Sequence, residues 1–273
     1  MFKYSSQQNG FSAALNILRL IFHNTVRHVR KSHGSPVMSL LINISQVIIL
    51  VAVFSFMMSI LGMRRSVVRG DFILFIMSGI FLFLTHNKTL SQVSGAETAT
   101  SPMMQHAPMN TAISITSAAL SALYIQFLSV VVVLTVYQLG WGGVEFQYLP
   151  GAFGMFMLAW FSGAAIGTVL LAAKPWAPEL VKVIQTLYTR ANMFTSGKMF
   201  LANTMPGFML SFFQWNPLFH TIDQARGYTF VNYNPHYSSP IYPIVFSLVF
   251  LTIGLLAEFF TRKRASASWS ARR

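Results

Sequence analysis

The sequence predicts an all-α integral membrane protein with six transmembrane helices, an amphipathic interface helix ahead of the first, and a re-entrant segment between the fifth and the sixth. Three observations predict it. Of the 273 residues, 54% are hydrophobic and only 9% charged, which leaves too little polar side chain to clothe a soluble domain. Apolar runs at 37–61, 72–87, 115–137, 148–173 and 241–260 fall near the ~17 to 25 residues that a helix needs to cross the hydrocarbon core. Between Met205 and Pro240 the chain reads MPGFMLSFFQWNPLFHTIDQARGYTFVNYNPHYSSP, too greasy for an ordinary loop and too often broken by proline to cross. Such a segment dips in and returns. Broken backbone survives at membrane depth only where protein or a water-filled cavity satisfies its N–H and C=O groups, so the segment borders a translocation path.

Taken in order, residues 11–30 set Phe11, Leu15, Leu18, Phe22, Val26 and Val29 on one helical face and Asn16, Arg19, His23, Arg27 and Arg30 largely opposite. This helix either lies along the inner membrane surface with its basic face toward phospholipid heads, or packs on a partner protein. Asn16 and Arg19 interrupt the apolar pattern, so no cleavable signal is expected here. After the second span, residues 86–112 form a polar, nearly uncharged connection marked by Pro102 and Pro108, which serves as a docking segment or as a linker. The third span carries no charge. The fourth spaces Ala159, Gly163 and Gly167 four apart, a small-residue stripe that brings a helix close, within one subunit or between subunits.

The remaining span, 180–204, is interrupted by Lys182, Arg190 and Lys198. If it begins near Pro178, Arg190 lies about 18 Å along it at 1.5 Å per residue, close to mid-membrane. A charge there faces a wet cavity or an acidic partner, and of the chain's six carboxylates (Asp71, Glu97, Glu145, Glu179, Asp223, Glu258) none sits in the middle of another span. If instead the helix starts nearer Arg190, the side chain snorkels to the inner interface.

Orientation follows from the 19 Lys and Arg residues, which flank the cytoplasmic ends of spans. Lys3, Arg19, Arg27, Arg30 and Lys31 precede the first span, and Arg262, Lys263, Arg264, Arg272 and Arg273 follow the last, so both termini are expected in the cytoplasm and the number of crossings is even. Against the trend, Arg64, Arg65 and Arg69 would face outward, offset only by Asp71.

Several chemistries have no residues to carry them. There is no cysteine, and the seven histidines show no ligand spacing, so no metal site is expected. No phosphate-cradling G-x-x-x-x-G-K-[ST] loop occurs, so any ATP is handled elsewhere. Ser162 and Ser196 each lack the glycine two residues before that a nucleophile elbow needs, and the scattered carboxylates make no glycosidase pair. An ion-coupled secondary transporter would want an intramembrane acid or histidine relay, which is also missing.

From Pro178 to Arg226 stand PELVKV, a span ending in SGKMF, Pro206, and NPLFHTIDQAR. This order (a proline-acid start, a Ser-Gly turn, an outer proline, then Asn216 and Pro217 followed by His220 and a closing Arg226) resembles the membrane subunit of type 2 ABC exporters. The resemblance is to the branch that exports capsular polysaccharides and related polyol-phosphate or lipid-linked glycans, and it covers nearly the full length. It implies a homodimer of six-span permeases in the bacterial inner membrane, moving a polysaccharide of capsular type, anionic and lipid-linked. O-antigen or teichoic-type polymer is the alternative cargo. It further implies a re-entrant helical hairpin with pieces near 206–215 and 217–226, and an external loop between the first two spans. A coupling segment at 91–110 is implied as well, with Glu97, Met104 and His106 as candidate contacts to the ATPase. Two copies of a separate nucleotide-binding subunit would hold ATP and magnesium, and periplasmic export components are further partners; this chain itself holds no cofactor and binds no nucleic acid. Residues 102–110, PMMQHAPMN, are less basic than relatives often are.

On such a path Arg190 and Lys198 would attract carboxylate or phosphate groups. Trp215, Tyr228, Tyr233 and Tyr237 would offer faces to sugar rings near the outer mouth, or else form an interfacial aromatic belt.

Overall fold

The computed structural model describes residues 10–33, 35–60, 72–98, 101 and 110–264. Helices account for nearly all of it: α1 (Gly10–His33), α2 (Pro36–Ile60), α3 (Phe72–Ser94), α4 (Thr111–Gly140), α5 (Leu149–Ala173), α6 (Pro178–Thr195), α7 (Gly207–Phe213), α8 (Pro217–Thr229) and α9 (Ile241–Arg264), with one 3₁₀ turn at Ala202–Thr204. Five of these, α2, α3, α4, α5 and α9, are long and apolar enough to cross a membrane. Proline opens several of them, as expected where the missing N–H has no intrahelical partner: α5, α6 and α8 all carry it in their first two positions.

At the centre are α3 and α5, whose surfaces are mostly buried, while α2, α4 and α9 keep broad apolar faces outward. The close approach of α3 to α5 uses the small-residue stripe. Ala159 is fully buried, Gly163 meets the His86 carbonyl, and a Cβ at Gly167 would lie 2.9 Å from the Leu90 carbonyl oxygen. The stripe is thus filled by a helix of the same chain. Behind α5, Gly254 admits α9 just as closely, since a Cβ there would lie 2.9 Å from the Val169 nitrogen.

Two boundaries differ from the hydropathy runs. The polar stretch that follows residue 85 continues α3 as helix to Ser94, because its side chains find partners on α5 and α6 rather than in water. At the far end of the 86–112 connection, Asn110 caps α4 by accepting from the Ala112 N–H at 3.4 Å. Met104 and His106, with the loop carrying Arg64, Arg65, Arg69 and Asp71, lie outside the described residues.

The amphipathic α1 packs on α4, where Ser117 Oγ donates to the Ile21 carbonyl at 3.2 Å. It buries Asn24 and Val29 and turns Phe11, Leu15, Leu18 and Phe22 away from the bundle.

Candidate functional site

The polar helix α6 has two distinct faces, and the sequence spacing sets both. Toward the bundle come Val181, Gln185, Tyr188 and Asn192, each three or four residues from the last. Ser94 Oγ donates to Gln185 Oε1 at 2.9 Å. His86, buried in α3, is bridged to Tyr188 by a 2.9 Å bond at Nε2 and to Ser162 of α5 by a 2.8 Å bond at Nδ1. Because Ser162 spends its own hydrogen on the Ala159 carbonyl, Nδ1 donates to Ser162, and in a neutral imidazole Nε2 then accepts from Tyr188. Asn192 Nδ2 donates to Asn87 Oδ1 at 3.3 Å. The result is a polar ladder that joins α3 to α6 without a formal charge.

The opposite face of α6 carries Glu179, Lys182, Thr186, Arg190 and Met193, all exposed and spaced at three or four residues. Glu179 and Lys182 pair at 2.8 Å, and the Thr186 hydroxyl bonds back to the Lys182 carbonyl. Arg190 has no partner among the described residues. Leu180, Val183, Leu187 and Phe194 flank the stripe and are also exposed.

After Thr195 the chain turns sharply. Gly197 sits at φ +67°, a left-handed conformation that favours glycine, and a Cβ there would also strike the Phe219 ring at 2.6 Å. Arg226, fully buried on α8, holds this turn: Nη1 donates to the carbonyls of Gly197 (2.9 Å) and Phe200 (2.7 Å), and Nη2 to that of Lys198. Its guanidinium also stacks over Phe75 of α3, 4.0 Å from the ring centre. Space for this comes from Gly79, where a Cβ would lie 2.7 Å from the Lys198 carbonyl oxygen and 2.9 Å from the guanidinium.

Asn216 performs two tasks. Its Oδ1 accepts the Leu218 N–H at 2.9 Å and caps α8 ahead of Pro217, while Nδ2 donates to Asn192 Oδ1 (2.9 Å) and Thr195 Oγ1 (2.8 Å). The α3–α6 ladder thereby reaches the start of α8. His220 fastens the other side: Nε2 donates to the Gln214 carbonyl at 2.8 Å and Nδ1 accepts the Ser239 N–H at 3.0 Å, tying the α7–α8 turn to the approach to α9. Asp223 accepts from the hydroxyls of Tyr233 and Ser238.

These contacts sort the residues singled out in the sequence. Asn216, Pro217, His220 and Arg226 converge as the internal frame of the α7–α8 pair. Lys198 is buried, its Nζ over the rings of Phe83 (3.5 Å) and Phe54 (5.0 Å) with no hydrogen-bond partner among the described residues, so its charge is held by aromatic faces inside the subunit. Tyr233 is likewise buried, whereas Trp215 and Tyr237 are exposed and Tyr228 is half-buried. Glu97 follows α3, where its N–H donates to Ser114 Oγ at 3.2 Å. The ladder residues on α3, His86 and Asn87, are absent from the sequence reading. The polar groups Gln185, Tyr188 and Asn192 at helical spacing on a membrane-length helix were the signal for their partners.

No family model matches the chain. Two Escherichia coli proteins, each named polysialic acid transport protein KpsM, are similar to it. One is 25% identical over 225 residues, covering 81% of this chain and 83% of the relative. The other is 26% identical over 215 residues, covering 77% and 81%. Most of the chain is thus matched. By motif order, helical architecture and relatedness alike, this chain resembles the membrane-embedded permease subunits of type 2 ABC exporters, in the branch that exports capsular polysaccharides.

Proposed function

We propose that this chain is the transmembrane subunit of an ATP-driven exporter that carries a long, anionic, lipid-linked polysaccharide from cytoplasm to periplasm. It works as a homodimer above two copies of a nucleotide-binding subunit, which bind and hydrolyse ATP with magnesium. One observation carries this reading: the outward face of α6, a helix that packs by one side along the membrane-spanning α3 and α5, bears a polar stripe ending in Arg190, which has no partner among the described residues. A central arginine costs roughly 2.5 to 3.5 kcal/mol against lipid even on the lenient insertion scale, so the stripe lines a wet path rather than facing hydrocarbon. An anionic polymer moving along it meets a cation at mid-depth. The polysialic acid in the relatives' names is a cargo of that kind, since each of its sugars bears a carboxylate.

In this arrangement α6 is the fifth of six crossings, and α7 and α8 form the re-entrant hairpin. Support comes from α8, which runs from Asn216, tied to Asn192, out to Tyr228 and Thr229, whose carbonyls accept from the backbone of Tyr148 and Gln147 at the start of α5. Both termini are cytoplasmic. Supporting this, Lys174, Lys182, Arg262, Lys263 and Arg264 cluster where α5 ends, α6 begins and α9 ends, while among the described residues the 141–148 loop at the other end carries Glu145 and no cation. Movement of the 91–110 segment under the ATPase would shift α3, and the ladder would pass that shift to α6 and to the hairpin as a rigid-body change. Trp215 and Tyr228 present rings to the passing glycan at the outer mouth.

Co-expression with candidate nucleotide-binding subunits tests the proposal. A stable complex with stimulated ATP hydrolysis and export of polysaccharide is expected, and an isolated chain that exports unaided would contradict it.

A further inference from the structure

A cleft of about 420 Å³ opens at the outer end of α8, within the range of small-molecule sites. Gln147 from the α4–α5 loop forms one wall; Tyr228, Gly227 and Gln224 from α8 form another; Asn232, Tyr233 and Asn234 from the following turn close it. Among the described residues, no ionised side chain lines it. Four amides do, and their hydrogen bonding with the described residues is incomplete. The Gln224 Nε2 donates to the carbonyl and hydroxyl of Ser238, leaving its oxygen for another partner. Among the described residues, the side chains of Asn232 and Asn234 and the Tyr228 hydroxyl make no hydrogen bond, and the two asparagines are exposed.

The cleft is nevertheless built rather than loose. Tyr233 is anchored through its hydroxyl to Asp223, and Asn203 Nδ2 holds the Asn234 carbonyl at 2.7 Å. Pro235 packs against Gly227, where a Cβ would lie 2.7 Å from the proline ring. On the inner side the Tyr228 ring rests against Tyr148, with centroids 5.9 Å apart, and over Gly151.

We propose that this cleft, lined by Gln147, Gln224, Tyr228, Asn232 and Asn234, is a binding subsite for a neutral sugar ring of the exported glycan. An amide donates and accepts through adjacent atoms, as each sugar hydroxyl does, so amides can serve neighbouring hydroxyls of a ring. A tyrosine face suits the apolar C–H face of a pyranose, and a wall free of cations gives no advantage to a carboxylate or phosphate. The division of labour follows: Arg190 meets the charged groups at depth, and this cleft engages an uncharged ring as the polymer leaves. The inference rests on the glycan-export proposal.

The test uses the full chain in phosphatidylethanolamine–phosphatidylglycerol nanodiscs. Methyl glycosides of glucose, galactose and N-acetylglucosamine are titrated by saturation-transfer NMR, with sorbitol as a polyol lacking a ring and N-acetylneuraminic acid as the charged comparison. At least one neutral glycoside is expected to bind at least fivefold more tightly than sorbitol and N-acetylneuraminic acid. Tyr228→Ala and Asn232→Ala should each weaken that binding at least fivefold, and Tyr228→Phe should keep it within twofold. Asn232 is exposed, so its variant reports on the cleft even if Tyr228→Ala disturbs the packing on Gly151. Binding unchanged in Asn232→Ala, or sorbitol bound as well as the glycosides, overturns the subsite. If no glycoside binds to a chain that still assembles with an ATPase and exports, the subsite falls while the export proposal stands. If a glycoside binds with the expected variant pattern but no ATPase partner assembles, the export proposal falls and the cleft remains a sugar site.

Discussion

The guanidinium of Arg226 reaches across 29 residues of sequence to the carbonyl oxygen of Gly197, 2.9 Å away, and so fastens α8 to the turn that ends α6. Two further carbonyls, of Lys198 and Phe200, share the same group. The donors on its two Nη atoms are turned to backbone rather than to an anion, and the guanidinium stacks on Phe75. A planar fork can serve three carbonyls at once, whereas an ammonium is a point donor.

Arg226→Met should therefore destabilise the hairpin by on the order of 2–5 kcal/mol, because three carbonyls lose a charged donor. Arg226→Lys should recover only part of that loss. Thermal unfolding of the purified variants in detergent checks the order wild type, lysine, methionine.

Gly79 gives a sharper steric test. Its Cβ would sit 2.7 Å from a carbonyl oxygen that Arg226 itself holds in place, so the obstacle is backbone and cannot swing aside. Gly79→Ala is expected to cost about 1–3 kcal/mol, as overpacking does, and to lower the melting temperature. Gly154→Ala, in open space on α5, is the control and should keep or raise it, since alanine favours helix over glycine.

Asn216 and Asn192 meet at 2.9 Å, and Asn216 also caps α8. Asn216→Ala should lose about 1 kcal/mol from the cap alone. In a double-mutant cycle with Asn192→Ala, a coupling of at least about 0.5 kcal/mol is expected because the two amides share one bond. Strict additivity would show that the ladder stops short of the hairpin.

Much of this architecture was legible beforehand because apolar runs report their own environment. The runs at 37–61, 148–173 and 241–260 became α2, α5 and α9 within a few residues, and the three- and four-residue spacing of Phe11, Leu15, Leu18 and Phe22 became α1. The residues that misled were polar ones whose partners are distant in sequence. His86, Asn87 and Ser94 read as the start of a loop, but Ser162, Tyr188, Asn192 and Gln185 satisfy them inside the bundle, 76 to 105 residues away. Lys198 read as a cation for substrate, and only the fold reveals that Phe54 and Phe83 enclose it. Hydropathy has no access to such pairings, because it sums residues and does not locate neighbours.

Arg190 differs from Lys198 in that nothing among the described residues covers it. Arg190→Ala should reduce polysaccharide export at least tenfold in cells while the complex with the ATPase still assembles, and Arg190→Lys should retain an intermediate rate. Export indistinguishable from wild type would return this side chain to a role at the membrane interface.

On the proposed export path the outward face of α6 borders water. The chain contains no cysteine, so single cysteines can be introduced without background. In intact complexes, cysteines at Thr186 and Arg190 should react readily with a charged, water-soluble thiol reagent, and more slowly when polysaccharide is being exported. Cysteines at Val181 and Asn192, on the buried face, should stay unmodified. Equal inertness at Thr186, Arg190, Val181 and Asn192 would contradict a wet path along this helix.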